Sequence, residues 1–344
     1  MRHDGYSAQD EMVDQAGHID MTEAGPDGEG LPHPGSLPQG EAVRDAAAVK
    51  QARSGLLGLL ADYVALTKPP IISLLLITAI GGMFLAARGV PDLLTLLLVC
   101  VGGALGAGGA NAINHYLDQD IDALMTRTAR RPVPGNRVRP FMALAFGIAL
   151  NAASFGVLFY WVNWLAATLT MAASLFYVLV YTGWLKRSTP QNIVIGGAAG
   201  SIPPAVGWVA VTGSFDLPAL YMFAIVFFWT PPHFWALSLL IQRDYERAGV
   251  PMLPVVAGEQ KTVESIFAYS LVLVALTLVF AATGAVGGVY LGAAVALGAV
   301  FVWAAWRLWR GRTRQKARNL YLYSLLYLAL LFGAMMADGV YRVL

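Results

Sequence analysis

The stretch that bears most directly on chemistry is Asn114-His-Tyr-Leu-Asp118-Gln-Asp120-Ile-Asp122. Asn114, Asp118 and Asp122 recur at intervals of four, so a helix carries all three on one face. Two carboxylates and an amide oxygen at the end of a long apolar run are costly to place beside a membrane unless water or a cation compensates them. Hard oxygen donors suit Mg2+, which keeps several waters and takes one or two carboxylates together with the phosphates of a substrate. Asn114, Asp118 and Asp122 are therefore the candidate metal ligands, with Asp118 and Asp122 as catalytic carboxylates of a site for a phosphorylated ligand.

The residues that follow supply the complementary charge. Arg127, Arg130 and Arg131 lie in the same loop, as cations suited to phosphate oxygens, and acids and bases together point to Mg2+ with a diphosphate. A solvated helix cap followed by ordinary loop arginines explains Arg137 and Arg139, but it leaves the four-residue spacing of Asn114, Asp118 and Asp122 without a reason. A second loop, Tyr181-Thr-Gly-Trp-Leu-Lys186-Arg187-Ser-Thr-Pro-Gln-Asn192, offers Lys186 and Arg187 to grip phosphate, with Tyr181 beside them. In a third, Gln242-Arg243-Asp244-Tyr-Glu246-Arg247, Asp244 is a candidate for the substrate or for a second metal, while Glu246 suits a surface pair. Two histidines lie at membrane depth: His115 beside Asn114, and His233 in Trp229-Thr-Pro-Pro-His-Phe-Trp235, where adjacent prolines are expected to disrupt a helix. For each, a plain hydrogen-bonding role competes with substrate contact, because a lone histidine identifies no ligand.

These motifs need a scaffold, and composition says what kind. Of 344 residues, 57% are hydrophobic and 13% charged, too apolar for an ordinary soluble domain. From Pro70 onward, nine apolar runs of spanning length alternate with short polar breaks: 70–87, 93–116, 141–160, 164–184, 192–211, 217–241, 263–283, 286–306 and 320–341. The expected fold is an all-α integral membrane protein of about nine transmembrane helices. Lys and Arg gather in the segment before the first run and in every second loop, whereas the other side carries only Arg88 and Arg342. The positive-inside rule then puts the N-terminus and the basic loops in the cytoplasm and the C-terminus outside.

Glycines cluster in the second run (Gly102, Gly103, Gly106, Gly108, Gly109) and the fifth (Gly196, Gly197, Gly200), a spacing that lets helix backbones approach closely. Cys100, the single cysteine, excludes an intrachain disulfide. Residues 1–50 hold ten acidic and three basic residues among many Gly and Pro, so 1–55 reads as a disordered acidic tail and 56–344 as the membrane domain. No cleaved leader is expected.

Taken together, the motifs resemble the UbiA superfamily of intramembrane prenyltransferases, from about Tyr63 to the end of the chain. Within it the similarity is greatest to the branch whose acceptor is heme. That similarity rests on 114–122, Arg127-Thr-Ala-Arg-Arg-Pro-Val-Pro134, 181–192, Pro231-Pro-His-Phe-Trp-Ala236 and Ala248-Gly-Val-Pro-Met-Leu-Pro-Val-Val256. Two departures from the wider superfamily, His115 in place of a first Asp and no second Asp four residues after Asp244, agree with the heme branch. The resemblance implies a nine-helix bundle that transfers the farnesyl group of farnesyl diphosphate to a vinyl group of heme B with addition of water, giving heme O, heme being substrate and Mg2+ the cofactor. It further implies a bacterial inner-membrane enzyme with its site facing the cytoplasm. Other proteins of the heme A pathway or of terminal oxidase assembly are expected beside it, and no nucleic acid. His115 and His233 become heme contacts, and Tyr177, Tyr181, Phe228 and Trp229 aromatic faces for an allylic cation.

Three other readings compete. A relative prenylating an aromatic or quinone-precursor acceptor would use the same diphosphate site, though 231–236 and 248–256 argue against it. A transporter also carries intramembrane polar groups and broken helices, but there they belong at the midplane and here the acids stand at helix ends. A noncatalytic heme-handling factor would leave Asp118 and Asp122 dispensable.

Overall fold

The computed structural model describes residues 55–341. The segment expected to form the acidic tail lies outside them apart from Gly55, as does Arg342.

In lipid an apolar run satisfies its backbone N–H and C=O groups internally by becoming a helix. Among the described residues every regular element is helical, and nine helices are long and apolar enough to cross a membrane, in register with the nine runs. In chain order the elements are a short α1 (Leu56–Thr67), then α2 (Pro69–Ala87), α3 (Leu93–Leu117), a short α4 (Gln119–Leu124) and α5 (Pro140–Trp161). They continue with α6 (Trp164–Ser188), α7 (Asn192–Thr212), α8 (Leu217–Leu240), a short α9 (Gln242–Arg247), α10 (Leu253–Ala282), α11 (Gly288–Gly311) and α12 (Arg314–Tyr341).

Two helices outrun the apolar pattern: α10 begins at Leu253 rather than 263, and α12 at Arg314 rather than 320. Hydropathy marks where lipid ends, not where a helix ends; in α10 the chain also kinks at Gly258, φ 79°, so that Glu259, Gln260 and Lys261 open its longer piece as exposed residues ahead of the apolar part. The expectation for the Pro231-Pro232 pair is corrected: α8 runs as helix through both prolines. Inside a membrane, neighbouring helices and local side chains keep such a segment helical, and Thr230 Oγ1 donates to the Val226 carbonyl at 2.9 Å one turn back. The chain does break at Ser201, where α7 divides into Asn192–Gly200 and Ile202–Thr212.

Close packing differs along the sequence. Gly109 of α3 faces Gly147 of α5, and a Cβ on either would strike the other's carbonyl oxygen. Gly207 of α7 lies so close to α2 that a Cβ would overlap the Ala79 carbonyl. Small residues thus bring these backbones into contact. The second half packs by bulk instead: Phe280, Tyr290, Phe301, Tyr327 and Phe332, from α10, α11 and α12, are fully buried. Leu93, Leu97 and Val101, at four-residue spacing on α3, form one of the exposed apolar stripes a lipid environment accepts.

Within α6, residues Phe176–Leu185 wind as a π-helix. Such wide turns are rare, and many occur at functional sites. Here the π segment buries Tyr181 and Thr182 and delivers Lys186 directly after its end. Gly196 of α7 makes room for the Tyr181 ring, which a Cβ there would hit.

Candidate active site

The acidic face survives a break in its helix. α3 ends at Leu117 and α4 starts at Gln119, yet the Asp118 N–H donates to the Asn114 carbonyl at 2.9 Å and the Asp122 N–H to the Asp118 carbonyl at 2.7 Å. These two bonds keep the helical phase across the joint, so the four-residue spacing does put Asn114, Asp118 and Asp122 together. All three are almost wholly buried, as is His115, whose ring nitrogens have no hydrogen-bond partner.

Asn114, Asp118 and Asp122 are each met by a cation or a donor from another element. Lys186 donates to Asp118 Oδ2 at 2.5 Å, and Arg131 to both oxygens of Asp122 at 2.9 and 2.7 Å. Asn114 donates to Asp118 Oδ2 at 2.7 Å and to Thr182 Oγ1 at 3.2 Å, and accepts from Lys68 Nζ at 2.7 Å. Asp118 Oδ1, in contrast, is buried with no hydrogen bond, and Arg187 lies 3.7 Å from it. Arg187 is directed mainly to the exposed Asp120, which it binds through two nitrogens at 2.6 and 2.7 Å. That bond holds the Asp120 carboxyl at about 2, below the usual carboxylate range.

Lys68 joins this cluster without having been singled out from the sequence. It sits between α1 and α2 in a left-handed conformation, φ 55°, a strain of roughly 1–3 kcal/mol for a residue with a Cβ. Burial, with Arg131 next in effect, pushes its amine well below the ordinary lysine range. The only local signal is its position directly before Pro69-Pro70. Thr182 escaped notice because its partner is 68 residues away in sequence.

The remaining candidates take different places. Asp244 accepts from the backbone N–H groups of Thr126 and Arg127 at 3.3 and 3.4 Å, and Arg247 reaches Thr126 Oγ1 at 2.9 Å, so α9 is clasped to the arginine loop. Among the described residues no three His, Cys, Asp or Glu side chains stand close together, and the Asp244 oxygens face the two backbone N–H groups of the arginine loop. Tyr245, unremarked in the sequence, is buried near both parts, and burial first, with Asp244 and Asp118 adding, raises its phenol above the usual range. Arg127 keeps a buried Nε without a partner, whereas Arg130 is exposed. Arg137 donates to both oxygens of Asp62 at 2.9 and 3.1 Å, tying the loop to α1. Glu246 accepts from Gln242 at 2.7 Å. Tyr181 stacks on Tyr177 at 5.4 Å beside the cluster. His233 belongs to another neighbourhood, between α8 and α12, where Nδ1 lies 2.6 Å from Ser324 Oγ.

The donor set fits Mg2+. Two carboxylates and an amide oxygen are hard ligands, and too few to enclose the ion alone, which leaves its other positions to water and to phosphate. The buried, unbonded Asp118 Oδ1 is an acceptor that the protein's own donors leave open.

The chain has clear relatives among known proteins. The model of the UbiA prenyltransferase family matches residues 75–331. A Chloroflexus aurantiacus protein named protoheme IX farnesyltransferase is 52% identical over 280 residues, 81% of this chain and 48% of that protein. Proteins of the same name are 52% identical in Gloeobacter violaceus and 55% identical in Symbiobacterium thermophilum, and there the matched region covers 92% and 93% of the relative. The chain thus spans about half the length of some relatives and nearly all of others. Among solved structures, digeranylgeranylglyceryl phosphate synthase superposes with a TM-score of 0.69 at 19% identity, over 82% of this chain and 99% of that one. A UbiA homolog from Archaeoglobus fulgidus bound to GPP and Mg2+ gives 0.61 at 18% identity, over 80% and 99%. At those identities the shared property is the fold. A family match across most of the membrane domain, an all-helical bundle of the same shape and a buried Asn/Asp face at the end of the second span converge, and the chain belongs to the UbiA prenyltransferase family.

Proposed function

We propose that the chain transfers the farnesyl group of farnesyl diphosphate to a vinyl group of heme B, with addition of water, giving heme O. The observation that carries the chemistry is the buried Asp118–Asp122 face with a cation on each carboxylate. The acceptor is supported by identity of 52–55% to relatives named for protoheme IX farnesylation.

Mg2+, held by Asp118, Asp122 and Asn114, would neutralise charge on the diphosphate when bound. The chain's own residues do the rest. Lys186, Arg131 and Lys68 now satisfy Asp118, Asp122 and Asn114; with the substrate present they turn to phosphate oxygens and stabilise the charge that grows as the C1–O bond of the prenyl chain breaks. Arg187 adds a further cation, fixed by Asp120, while Asp244 sets the backbone of the Arg127 loop. Stacked Tyr177 and Tyr181 present aromatic faces to the allylic cation, and the apolar bundle delays water. The vinyl π pair then attacks the allylic C1 to form the new C–C bond, water adds to the resulting benzylic-type cation with loss of one proton, and the diphosphate already freed by C1–O cleavage dissociates with the product.

Basic loops gather at the helix ends that carry this cluster, so we place the site and the N-terminus in the cytoplasm, the C-terminus outside, and the protein in a bacterial inner membrane. There it would hand its product to other heme A pathway or oxidase assembly proteins.

Mass analysis of hemes extracted after incubating purified protein with heme B, farnesyl diphosphate and Mg2+ tests the reading. A hydroxyethylfarnesyl heme that disappears with EDTA is the expected result. Unchanged heme in a folded preparation that prenylates an aromatic acid would overturn it.

A further inference from the structure

The second histidine has a setting of its own. His233 lies seven residues before the end of α8, about 10 Å below that end at 1.5 Å per residue. Both faces of its ring are covered: Trp229 stacks on it with centroids 4.3 Å apart and planes 15° apart, and Tyr321 at 5.0 Å and 27°. Trp229 is itself pinned, since its Nε1 donates to the Ser324 carbonyl at 2.8 Å. The imidazole plane is therefore fixed by neighbours from two helices.

The hydrogen bonds around the ring suit one tautomer. Ser324 Oγ donates its single hydrogen to the Tyr321 carbonyl at 2.6 Å. Toward His233 Nδ1, 2.6 Å away, it is left to act as acceptor. In that arrangement Nδ1 carries the proton and Nε2 holds the lone pair. Nε2 makes no hydrogen bond among the described residues, and the ring keeps part of its surface open. A neutral imidazole whose Nδ1–H is bonded to a fixed acceptor while Nε2 stands free is the arrangement proteins use to ligate a metal. His115 lacks it, since both its nitrogens are sealed and unbonded.

We propose that His233 is the axial ligand, through Nε2, by which the protein holds the iron of a tetrapyrrole acceptor. This rests on the heme reading above and assigns the face and depth at which that acceptor binds. With its faces clamped, the imidazole meets iron only along its plane, so the macrocycle lies across the ring edge.

The test is resonance Raman and absorption spectroscopy of the full-length protein in detergent, titrated with hemin and then reduced. Wild type is expected to show an iron–histidine stretch. In His233→Ala that band disappears, hemin affinity falls at least tenfold, and added 1-methylimidazole restores the band. Ser324→Ala should keep the band but shift it to lower frequency, because Nδ1–H loses its acceptor. This variant, which leaves the histidine in place, serves if His233→Ala does not fold. An unchanged band in His233→Ala, a band unmoved in Ser324→Ala, or loss of the band only in His115→Ala would each overturn the assignment. Turnover of heme B by wild type without any iron–histidine band would sink this inference alone, whereas absence of both turnover and hemin binding would sink the heme reading with it.

Discussion

The two halves of the bundle hold themselves together by different means, and the difference follows what each has to position. Between α2 and α7, and between α3 and α5, glycines bring backbone against backbone. Between α10, α11 and α12, buried phenylalanines and tyrosines fill the space. In the aromatic half, Asp338 accepts from the N–H groups of Gly287 and Tyr290 at the start of α11 and Tyr290 donates to the Thr277 carbonyl at 3.2 Å, while the one buried polar atom left without a partner among the named aromatics is the neutral Tyr327 hydroxyl. In the glycine half, Asp118 Oδ1 is left open and Lys68 is kept in a strained backbone. Close backbone contact makes a stiff frame, and a stiff frame can hold charged groups in an arrangement they would otherwise relax from.

Removing the open carboxylate should break the comparison most sharply. Asp118→Ala is expected to lower heme farnesylation at least ~100-fold in folded protein, the scale of losing an electrostatic contact made in the transition state. Product formation within threefold of wild type would remove the chemical half of the contrast. Next in size is packing. Gly207→Ala places a Cβ against the Ala79 carbonyl and should destabilise by roughly 1–3 kcal/mol or more, as overpacking does. Leu331→Met, a near-isosteric change at a buried position of the aromatic half, should cost less than about 1.5 kcal/mol. Thermal unfolding in detergent compares the two, and an equal response would mean the glycine contacts are not the stiffer frame.

The smallest effect concerns Asp120. Its folded carboxyl is held at about 2, below the usual carboxylate range, because Arg187 hydrogen-bonds it. A depressed carboxyl contributes stability that is fully present above the unfolded value and is lost as pH falls through the folded one. The Asp120 contribution should thus be flat from pH 5 to 8 and fade between about 4 and 2. In Asp120→Asn the acid limb of the unfolding curve should be shallower over that window alone.

How much of the site could be read in advance depended on sequence distance. Asn114, Asp118 and Asp122 were legible because four-residue spacing is itself a geometric statement, and it held even where the helix breaks at Asp118. Lys186 was legible as a cation at a helix end. Lys68 was not, because nothing within the first fifty or so residues of the membrane domain says that a lysine before two prolines will meet an asparagine 46 positions on. Tyr245 and Ser324 were hidden for the same reason. Asp244 was read as a ligand by its type, but its oxygens go to two backbone N–H groups over a hundred residues away.

The sequence by itself determined the nine spans, the alternation of basic loops and the acidic face, since hydropathy and helical period act over a turn or over the thickness of the membrane. Tertiary structure alone decided which cation meets which carboxylate, which oxygen stays open, that α8 passes its prolines as helix, and which nitrogen of His233 is free. Those outcomes depend on side chains from helices far apart in the chain, where each hydrogen and lone pair is assigned by whatever neighbour the packing supplies.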